Sequence, residues 1–233
     1  MASVSTEVDY PSSDGKPVAE TPVHRENLLQ MIEMLRTWYA DNEQVYISGN
    51  MFVYYEQGNR RRHVSPDVMV VKEIPRLPER KCYLVWEEGK APDLVVEMTS
   101  SSTRKEDLKD KFALYRDVLQ VKEYVLFDPY GDYLVPPLQG YRLRGGEYHP
   151  IKLVKGRLPS KVLGLHFEVD NESLRVYDPE ARLWIPTPRE QAEQEAEAHH
   201  REAKARQEAE AEVERLRREL ETLRRGLHGR NGG

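Results

Sequence analysis

The stretch from Pro92 to Pro129, PDLVVEMTSSSTRKEDLKDKFALYRDVLQVKEYVLFDP, constrains the fold of this chain more than any other part of it. It predicts a buried strand from Leu94 to Met98, a Ser/Thr-rich turn, an amphipathic helix, and a second apolar strand from Tyr124 to Asp128. The first strand carries one acidic residue, Glu97. Because a buried carboxylate is costly unless it is paired or binds a metal, Glu97 is a candidate functional residue.

The helix in this stretch is predicted to run from Thr103 to Leu119. Thr103, followed three residues later by Glu106, matches a capping box. At about 100° per residue, Lys111 falls at the inner edge of the apolar face, whereas Lys109 points toward water. The apolar face comprises Leu108, Phe112, Tyr115 and Leu119. Lys111 is therefore a second candidate, the alternative being a lysine whose aliphatic stem only covers the core.

A further helix is predicted earlier in the chain, from Pro22 to Tyr39. Thr21 is suited to be its N-cap, and proline is favoured at the first helical position. Its apolar positions recur on one face: Leu28, Met31, Ile32, Leu35 and Tyr39. His24, in the first turn, is interpreted as a solvated residue rather than as part of a site.

Three strand signals follow this helix. Val45 to Ser48 and Met51 to Tyr55 are rich in β-branched and aromatic residues and are separated by Gly49-Asn50, which predicts either a hairpin or one bent strand. The later run SPDVMVV is a short, nearly all-apolar strand opened by Asp67. Strands of this kind are usually buried on both faces in a sheet covered by helices.

The chain beyond Pro129 changes character twice. Four short alternating segments predict antiparallel strands: Tyr141 to Arg144, Tyr148 to Leu153, Leu165 to Val169, and Leu174 to Tyr177. From Pro188 the composition predicts a long helix. Within it, apolar residues recur at spacings of three and four, the seam of a coiled coil: Val213, Leu216, Leu220, Leu223 and Leu227. The helix is predicted either to pair with a second copy or to remain a solvated helix that frays.

Composition limits the class of protein. With 233 residues, of which 39 % are hydrophobic, the chain can bury one substantial core. A net charge of -5 argues against coating nucleic acid by bulk charge, so any nucleic-acid site must be local. The chain has one cysteine, Cys82, and we find neither a signal peptide nor a membrane-spanning run. A cytoplasmic protein without a membrane partner is expected.

Two acids and a lysine on adjacent predicted elements form a candidate active site. Asp67 opens one buried strand, Glu97 lies inside another, and Lys111 lies on the inner edge of the next helix. Converging carboxylates make an oxygen site of the kind that Mg²⁺ or Mn²⁺ prefers, and an ammonium nearby stabilises negative charge in a transition state. This chemistry suits hydrolysis of a phosphodiester. From spacing alone this signal is weak, because Pro-Asp before a strand is more often only a turn.

The order of motifs resembles the Uma-two (Uma2) family of restriction endonuclease-like proteins, in the PD-(D/E)XK nuclease superfamily. The motifs are Pro66-Asp67, PDLVVEMTSSST (92–103), DLKDKFALY (107–115) and EYVLFDP (123–129). The resemblance implies an α+β fold with an α-β-β-β-α-β core: a mixed central sheet flanked by helices, extra antiparallel strands and the C-terminal helix. The resemblance covers about His24 to Pro179. Together with the composition of both ends, it divides the chain into a disordered tail (1–20), an endonuclease-like domain (21–187), the C-terminal helix (188–227) and a second disordered tail (228–233).

The resemblance also assigns roles. Asp67 and Glu97 match the metal-binding acids, and Lys111 matches the catalytic lysine, which the superfamily usually carries two residues after the second acid, where this chain has Thr99. It implies an endonuclease that hydrolyses DNA with Mg²⁺ or Mn²⁺. From the seam of the C-terminal helix, a homodimer is expected. The competing reading is a catalytically inactive nuclease fold that serves as a scaffold through its C-terminal coiled coil.

Several other charged residues near these motifs are not assigned a catalytic role. Asp93 is interpreted as a strand-start residue and Asp107 as a first-turn charge favoured by the helix dipole. Arg104 and Lys105 are interpreted as solvated loop charges, with phosphate contact as the alternative. For the run from Arg60 to Arg62, solvation and phosphate contact remain equally open.

Overall fold

The structure is a computed structural model that describes residues 10–13, 21–100 and 103–228, with residues 221–228 described by their backbone only. Most of the predicted lead-in (1–20) and nearly all of the predicted tail (228–233) therefore lie outside the described residues. The chain forms two compact units, Met1–Ile185 and Pro186–Gly233.

The first unit contains most of the secondary structure. Its elements are α1 (Pro22–Trp38), β1 (Val45–Ser48), β2 (Val53–Tyr54), β3 (His63–Val64), β4 (Val68–Lys72), β5 (Tyr83–Leu84), α2 (Val85–Glu88), β6 (Leu94–Met98), α3 (104–118), β7 (Glu123–Phe127), β8 (Leu138–Arg144), β9 (Glu147–Pro150), β10 (Leu158–Pro159), β11 (His166–Asp170), β12 (Ser173–Asp178) and β13 (Leu183–Trp184). The second unit is the helix α4 (Pro188–His228).

A six-stranded mixed sheet in the order β1-β4-β6-β7-β8-β9 forms the centre of the first unit. Only β6 and β7 in this sheet run parallel to each other. One face packs against the apolar stripe of α1, and the other packs against α3 through Tyr115 and Leu119. The predicted α-β-β-β-α-β order is thereby confirmed by α1, β1, β4, β6, α3 and β7.

Helix α1 begins as its sequence predicts. The Thr21 hydroxyl accepts a hydrogen bond from the backbone N–H of His24 at 3.2 Å, and Pro22 follows the cap. Leu28, Met31 and Leu35 are buried against the sheet. Spacings of three and four place these residues on one side of the helix, so local sequence was sufficient to identify its buried face.

The prediction of a hairpin or bent strand across Gly49-Asn50 was wrong. β1 belongs to the six-stranded sheet, whereas β2 lies in a separate three-stranded sheet of order β3-β2-β5. β2 pairs antiparallel with β3 and parallel with β5. The β-branched and aromatic composition of β2 correctly indicated a strand, but it carried no information about which strand would pair with it.

The remaining predicted strands are confirmed, and they belong to two different sheets. β8 and β9 extend the central sheet, while β10 to β13 form a four-stranded antiparallel sheet. The predicted long helix is confirmed as α4, whose first turn is closed by reciprocal hydrogen bonds between Thr187 and Glu190. No helix in the part of the chain that the structure describes is long and apolar enough to cross a membrane.

Candidate active site

The pairing of β4 with β6 places the two predicted acids side by side. The strands are antiparallel with Val68 opposite Val96, so Asp67 comes opposite Glu97. The backbone N–H of Asp67 donates to Oε2 of Glu97 at 3.3 Å, and the backbone N–H of Met98 donates to Oδ2 of Asp67 at 2.7 Å. Each strand therefore helps to hold the carboxylate carried by the other.

Gly49 allows the backbone to pass close to Asp67. A Cβ atom at position 49 would lie 1.9 Å from the carbonyl oxygen of Asp67. The next residue, Asn50, donates its backbone N–H to the carbonyl of Pro66 at 2.8 Å. The turn after β1 thus supports the segment that carries the first acid, and only glycine fits at this contact.

Glu97 is almost completely buried and is surrounded by donors. Its side chain is 1 % exposed; Lys111 Nζ lies 3.0 Å from Oε2, and the Tyr115 hydroxyl donates to Oε1 at 2.8 Å. Burial raises the pKa of Glu97 above its usual value, and the positive charge of Lys111 opposes this rise. Burial also raises the pKa of Tyr115, so its hydroxyl keeps the proton that it donates.

Helix α3 presents three polar side chains to Glu97. Asp107, Lys111 and Tyr115 follow each other at intervals of four residues, and all three are buried. Two stretches of α3, Glu106–Lys111 and Leu114–Val118, have π-helical turns, which are frequent at functional sites. The spacing aligns the three residues on the side of the helix that faces the sheet.

Lys111 is held as a charged ammonium. Burial alone would lower its pKa, but the carboxylates of Glu97 and Asp107 outweigh this effect and raise the pKa above its usual value. The nitrogen lies 3.1 Å from Oδ1 of Asp107 as well as 3.0 Å from Glu97. Lys111 therefore supplies positive charge and hydrogen-bond donors at neutral pH and is not a general base.

Two residues of this cluster were not recognised in the sequence. Asp107 was interpreted as a first-turn charge, but it is buried and paired with Lys111, and burial raises its pKa. His24 was interpreted as solvated, but it is buried, and its Nε2 lies 3.5 Å from Oδ1 of Asp67. The sequence contained a usable signal in both cases. Asp107 lies four residues before Lys111, and His24 lies four residues before Leu28, so each shares a helix face with a residue that was predicted to face inward.

Asp93 lies at the opposite end of β6 from this cluster. It precedes Glu97 by four residues, about 13 Å along an extended strand. Its carboxylate accepts from the backbone N–H of Lys72 at 2.8 Å and pairs with Nζ of Lys90 at 3.0 Å and of Lys122 at 2.7 Å. These partners compensate for the burial of the acid.

The donor set fits a hard divalent cation. Among the residues that the structure describes, no three His, Cys, Asp or Glu side chains are grouped to hold a metal. Mg²⁺, however, is commonly bound by one or two carboxylates, with water and substrate oxygens completing its shell. The ammonium of Lys111 interacts electrostatically with three carboxyl groups, those of Asp67, Glu97 and Asp107. The cluster therefore contains more acidic groups than basic ones. Asp67 and Glu97 therefore fit a cation that would balance this charge.

The chain is similar to a known protein family and to solved structures. The family model Uma2, described as "Putative restriction endonuclease", matches residues 3–200. Among solved structures, "a putative nuclease belonging to DUF820 from Anabaena variabilis ATCC 29413" is similar with a TM-score of 0.49 and 16 % sequence identity, over 67 % of this chain and 83 % of that one. No curated protein matches the chain.

Proposed function

Because the chain belongs to the Uma2 family of restriction endonuclease-like proteins, we propose that it is a metal-dependent endonuclease that hydrolyses phosphodiester bonds in DNA. The observation that supports this proposal most directly is the meeting of Asp67, Glu97 and Lys111 at one end of β6. These are two acids and one ammonium, drawn from two strands and a helix. They supply the groups that metal-assisted phosphodiester hydrolysis needs.

Each residue has a distinct task in this proposal. Asp67 and Glu97 hold Mg²⁺ or Mn²⁺, which when bound supplies Lewis-acid activation of the phosphate and of water. Lys111 donates to a phosphate oxygen on which negative charge develops, and its fixed position means that no reorganisation is needed during the reaction. Tyr115 orients the Glu97 carboxylate by its hydrogen bond to Oε1. Asp107 holds the lysine from its other side.

Nicking of supercoiled plasmid tests the proposal. Wild type should nick in Mg²⁺ or Mn²⁺ and not in EDTA, and Asp67→Asn and Lys111→Met should each reduce the rate by about a hundredfold or more. Lys109→Met is the matched control, because Lys109 is exposed on the same helix two residues from Lys111. Equal nicking by all four proteins would contradict the proposal and identify a contaminating nuclease.

A homodimer formed through α4 is also proposed. Val213, Leu216 and Leu220 are 48 %, 46 % and 54 % exposed, although apolar residues at these spacings usually line a helix contact. A second copy of the helix would cover them. Two active sites brought together in this way could cut both strands of a duplex.

An inactive scaffold is the second candidate function. The observation that favours it is Thr99, a buried residue at the position where the resemblance leads us to expect a lysine. In that case the cluster around Glu97 would serve stability alone, and α4 would carry the function. The nicking comparison separates the two candidates.

A further inference from the structure

The charge of the chain raises the question of how it would bind a polyanion. The net charge is -5, so attraction to DNA must come from a basic surface close to the site. Three consecutive arginines, Arg60, Arg61 and Arg62, are exposed on the segment that joins β2 to β3. We refer to residues 52–64, which comprise both strands and this segment, as the arm.

The arm leaves and rejoins the central sheet beside the active site. β1 and β4 are antiparallel neighbours. The chain therefore leaves the sheet at the end of β1 and re-enters it at the start of β4, which lie at the same end of the strand pair. At the base of the arm, Asn50 donates to Pro66, the residue that precedes Asp67. Arg62 is five residues from Asp67 and Arg60 is seven, which limits their separations along the chain to about 17 and 24 Å. At about 3.4 Å per base pair, this reach corresponds to about five to seven base pairs of a duplex.

The tip of the arm is fixed by its own hydrogen bonds. The backbone N–H of Tyr55 donates to the carbonyl of Arg62, and that of Arg62 donates to the carbonyl of Asn59, both at 3.1 Å. The backbone N–H of Arg61 donates to Oδ1 of Asn59 at 3.1 Å, and the Arg60 carbonyl lies 2.9 Å from Nδ1 of His63. The backbone that carries the arginines is therefore ordered in advance, which reduces the entropy lost on binding.

Contacts outside the arm hold it to the domain. The Tyr54 hydroxyl donates to the carbonyl of Pro11 at 2.7 Å, and the backbone N–H of Gly58 donates to the Tyr10 hydroxyl at 2.6 Å. The rings of Tyr10 and Tyr54 also pack edge to face, with centroids 5.0 Å apart. These contacts hold the arm against Tyr10 and Pro11.

The arginines retain charge that is available to a ligand. Arg62 lies 3.4 Å from Glu56, at an exposed pair where such interactions are weak. Among the described residues, no carboxylate lies within ion-pair distance of Arg60 or Arg61. A guanidinium group presents paired N–H donors that match the geometry of a phosphate.

We propose that the arm binds the phosphate backbone of duplex DNA beside the bond to be cut. The inference rests on the proposed nuclease function and adds to it the surface that holds the substrate. Because the contacts are to phosphates, the arm contributes affinity and position without reading sequence.

Salt-dependent binding in EDTA tests the arm without cleavage. Fluorescence anisotropy with a labelled duplex longer than two helical turns would be measured over a series of NaCl concentrations. The Arg60→Ala/Arg61→Ala/Arg62→Ala variant should lower the slope of log affinity against log salt by about 2 to 3, since each lost phosphate contact removes about 0.9. Replacing the same three residues with lysine should restore the slope, which a purely structural role would not predict.

The matched control carries Arg201→Ala, Arg206→Ala and Arg217→Ala, three exposed positions on α4. It changes the net charge by the same amount and should leave the slope within about 0.5 of wild type.

Equal slopes for the arm variant and the control overturn the inference. If wild type binds and cuts DNA but the arm variant binds equally well, only the arm is contradicted. If binding depends on the arm but nothing is cut, the nuclease proposal fails and the binding surface stands. If wild type binds no duplex in EDTA but nicks plasmid in Mg²⁺, only the arm is contradicted, and if it does neither, both proposals fail.

Discussion

The ammonium nitrogen of Lys111 lies 3.0 Å from Oε2 of Glu97, although one residue is on a helix and the other on a strand. The position two residues after Glu97, where the resemblance leads us to expect the lysine, is occupied by Thr99. Helix α3 packs on the sheet, so a helical lysine reaches the same carboxylate. A helix can therefore supply the positive charge that the strand lacks.

Coupling between Lys111 and Glu97 can be measured by a double-mutant cycle. Lys111→Met should destabilise the fold by about 3 to 5 kcal/mol at pH 7, because it leaves buried carboxylates without their cation. Adding Glu97→Gln should recover part of this loss, since the amide carries no charge to compensate. Urea denaturation of the four proteins gives the coupling energy. If the two substitutions change the unfolding free energy additively, the contact between Lys111 and Glu97 contributes no coupling energy.

Divalent cation should stabilise the folded protein. A metal that binds the native state alone adds about 2.7 kcal/mol at a hundredfold excess over its Kd. We expect Mg²⁺ to raise the Tm of wild type in a thermal melt, because it offsets the clustered charge of Asp67 and Glu97. Asp67→Asn should lose this shift, and Asp41→Asn, which alters an exposed acid, should keep it. The same shift in both variants would place cation binding elsewhere.

Asp93 should make stability depend on pH in the acid range. Burial would raise its pKa, but donors from Lys122, Lys72 and Lys90 outweigh this and hold the pKa below its usual value. A carboxyl group with a lowered folded-state pKa stabilises the fold above its unfolded pKa of about 3.9, and this contribution is lost as pH falls through the folded-state pKa. Asp93→Asn should therefore be less stable than wild type at pH 7.

Unfolding by urea at several pH values checks this prediction. The difference in unfolding free energy between wild type and Asp93→Asn should begin to narrow below about pH 4, where Asp93 of the unfolded chain binds a proton, and should be lost at lower pH once the folded-state carboxyl group is protonated as well. A difference that stayed constant down to acid pH would mean that shape and hydrogen bonding, and not charge, explain the effect of the substitution.

Gly49→Ala should disturb the segment that carries Asp67. The new Cβ would meet the Asp67 carbonyl at 1.9 Å, and backbone cannot move aside as a flexible side chain can. We expect a loss of about 3 kcal/mol of stability and reduced nicking. Gly140→Ala is the control, because its Cβ would meet only the side chain of Leu158, at 2.7 Å, and should cost about 1 kcal/mol. Equal losses would argue against a special role for the turn after β1.

Removal of α4 should change the oligomeric state. A chain ending at Thr187 lacks the exposed seam of Val213, Leu216 and Leu220. We expect full-length protein to have the solution mass of a dimer and the truncated protein that of a monomer, as measured by light scattering. Charged substitutions at Leu216 and Leu220 in the full chain should reproduce the effect of truncation. A dimer that survives both changes would exclude α4 as the assembly element.

Much of this protein was determined by local sequence. The apolar stripe of α1, its cap at Thr21, and the apolar runs of β6 and β7 identified the core elements and their order. Periodicity reports which side of an element is buried, and that information is contained within a few neighbouring residues. The same reasoning placed Lys111 on the inner side of α3.

Tertiary structure alone decided which elements meet. The departure of β2 into a second sheet and the burial of His24 against Asp67 depend on partners far away in the chain. Asp107 is only four residues from Lys111, but the burial of both side chains depends on the sheet that α3 packs against. A pattern of apolar residues specifies that a face is covered but not what covers it. The register that sets Asp67 opposite Glu97 arises from the packing of the whole sheet, because a shift of one residue would turn every side chain of β4 to the other face.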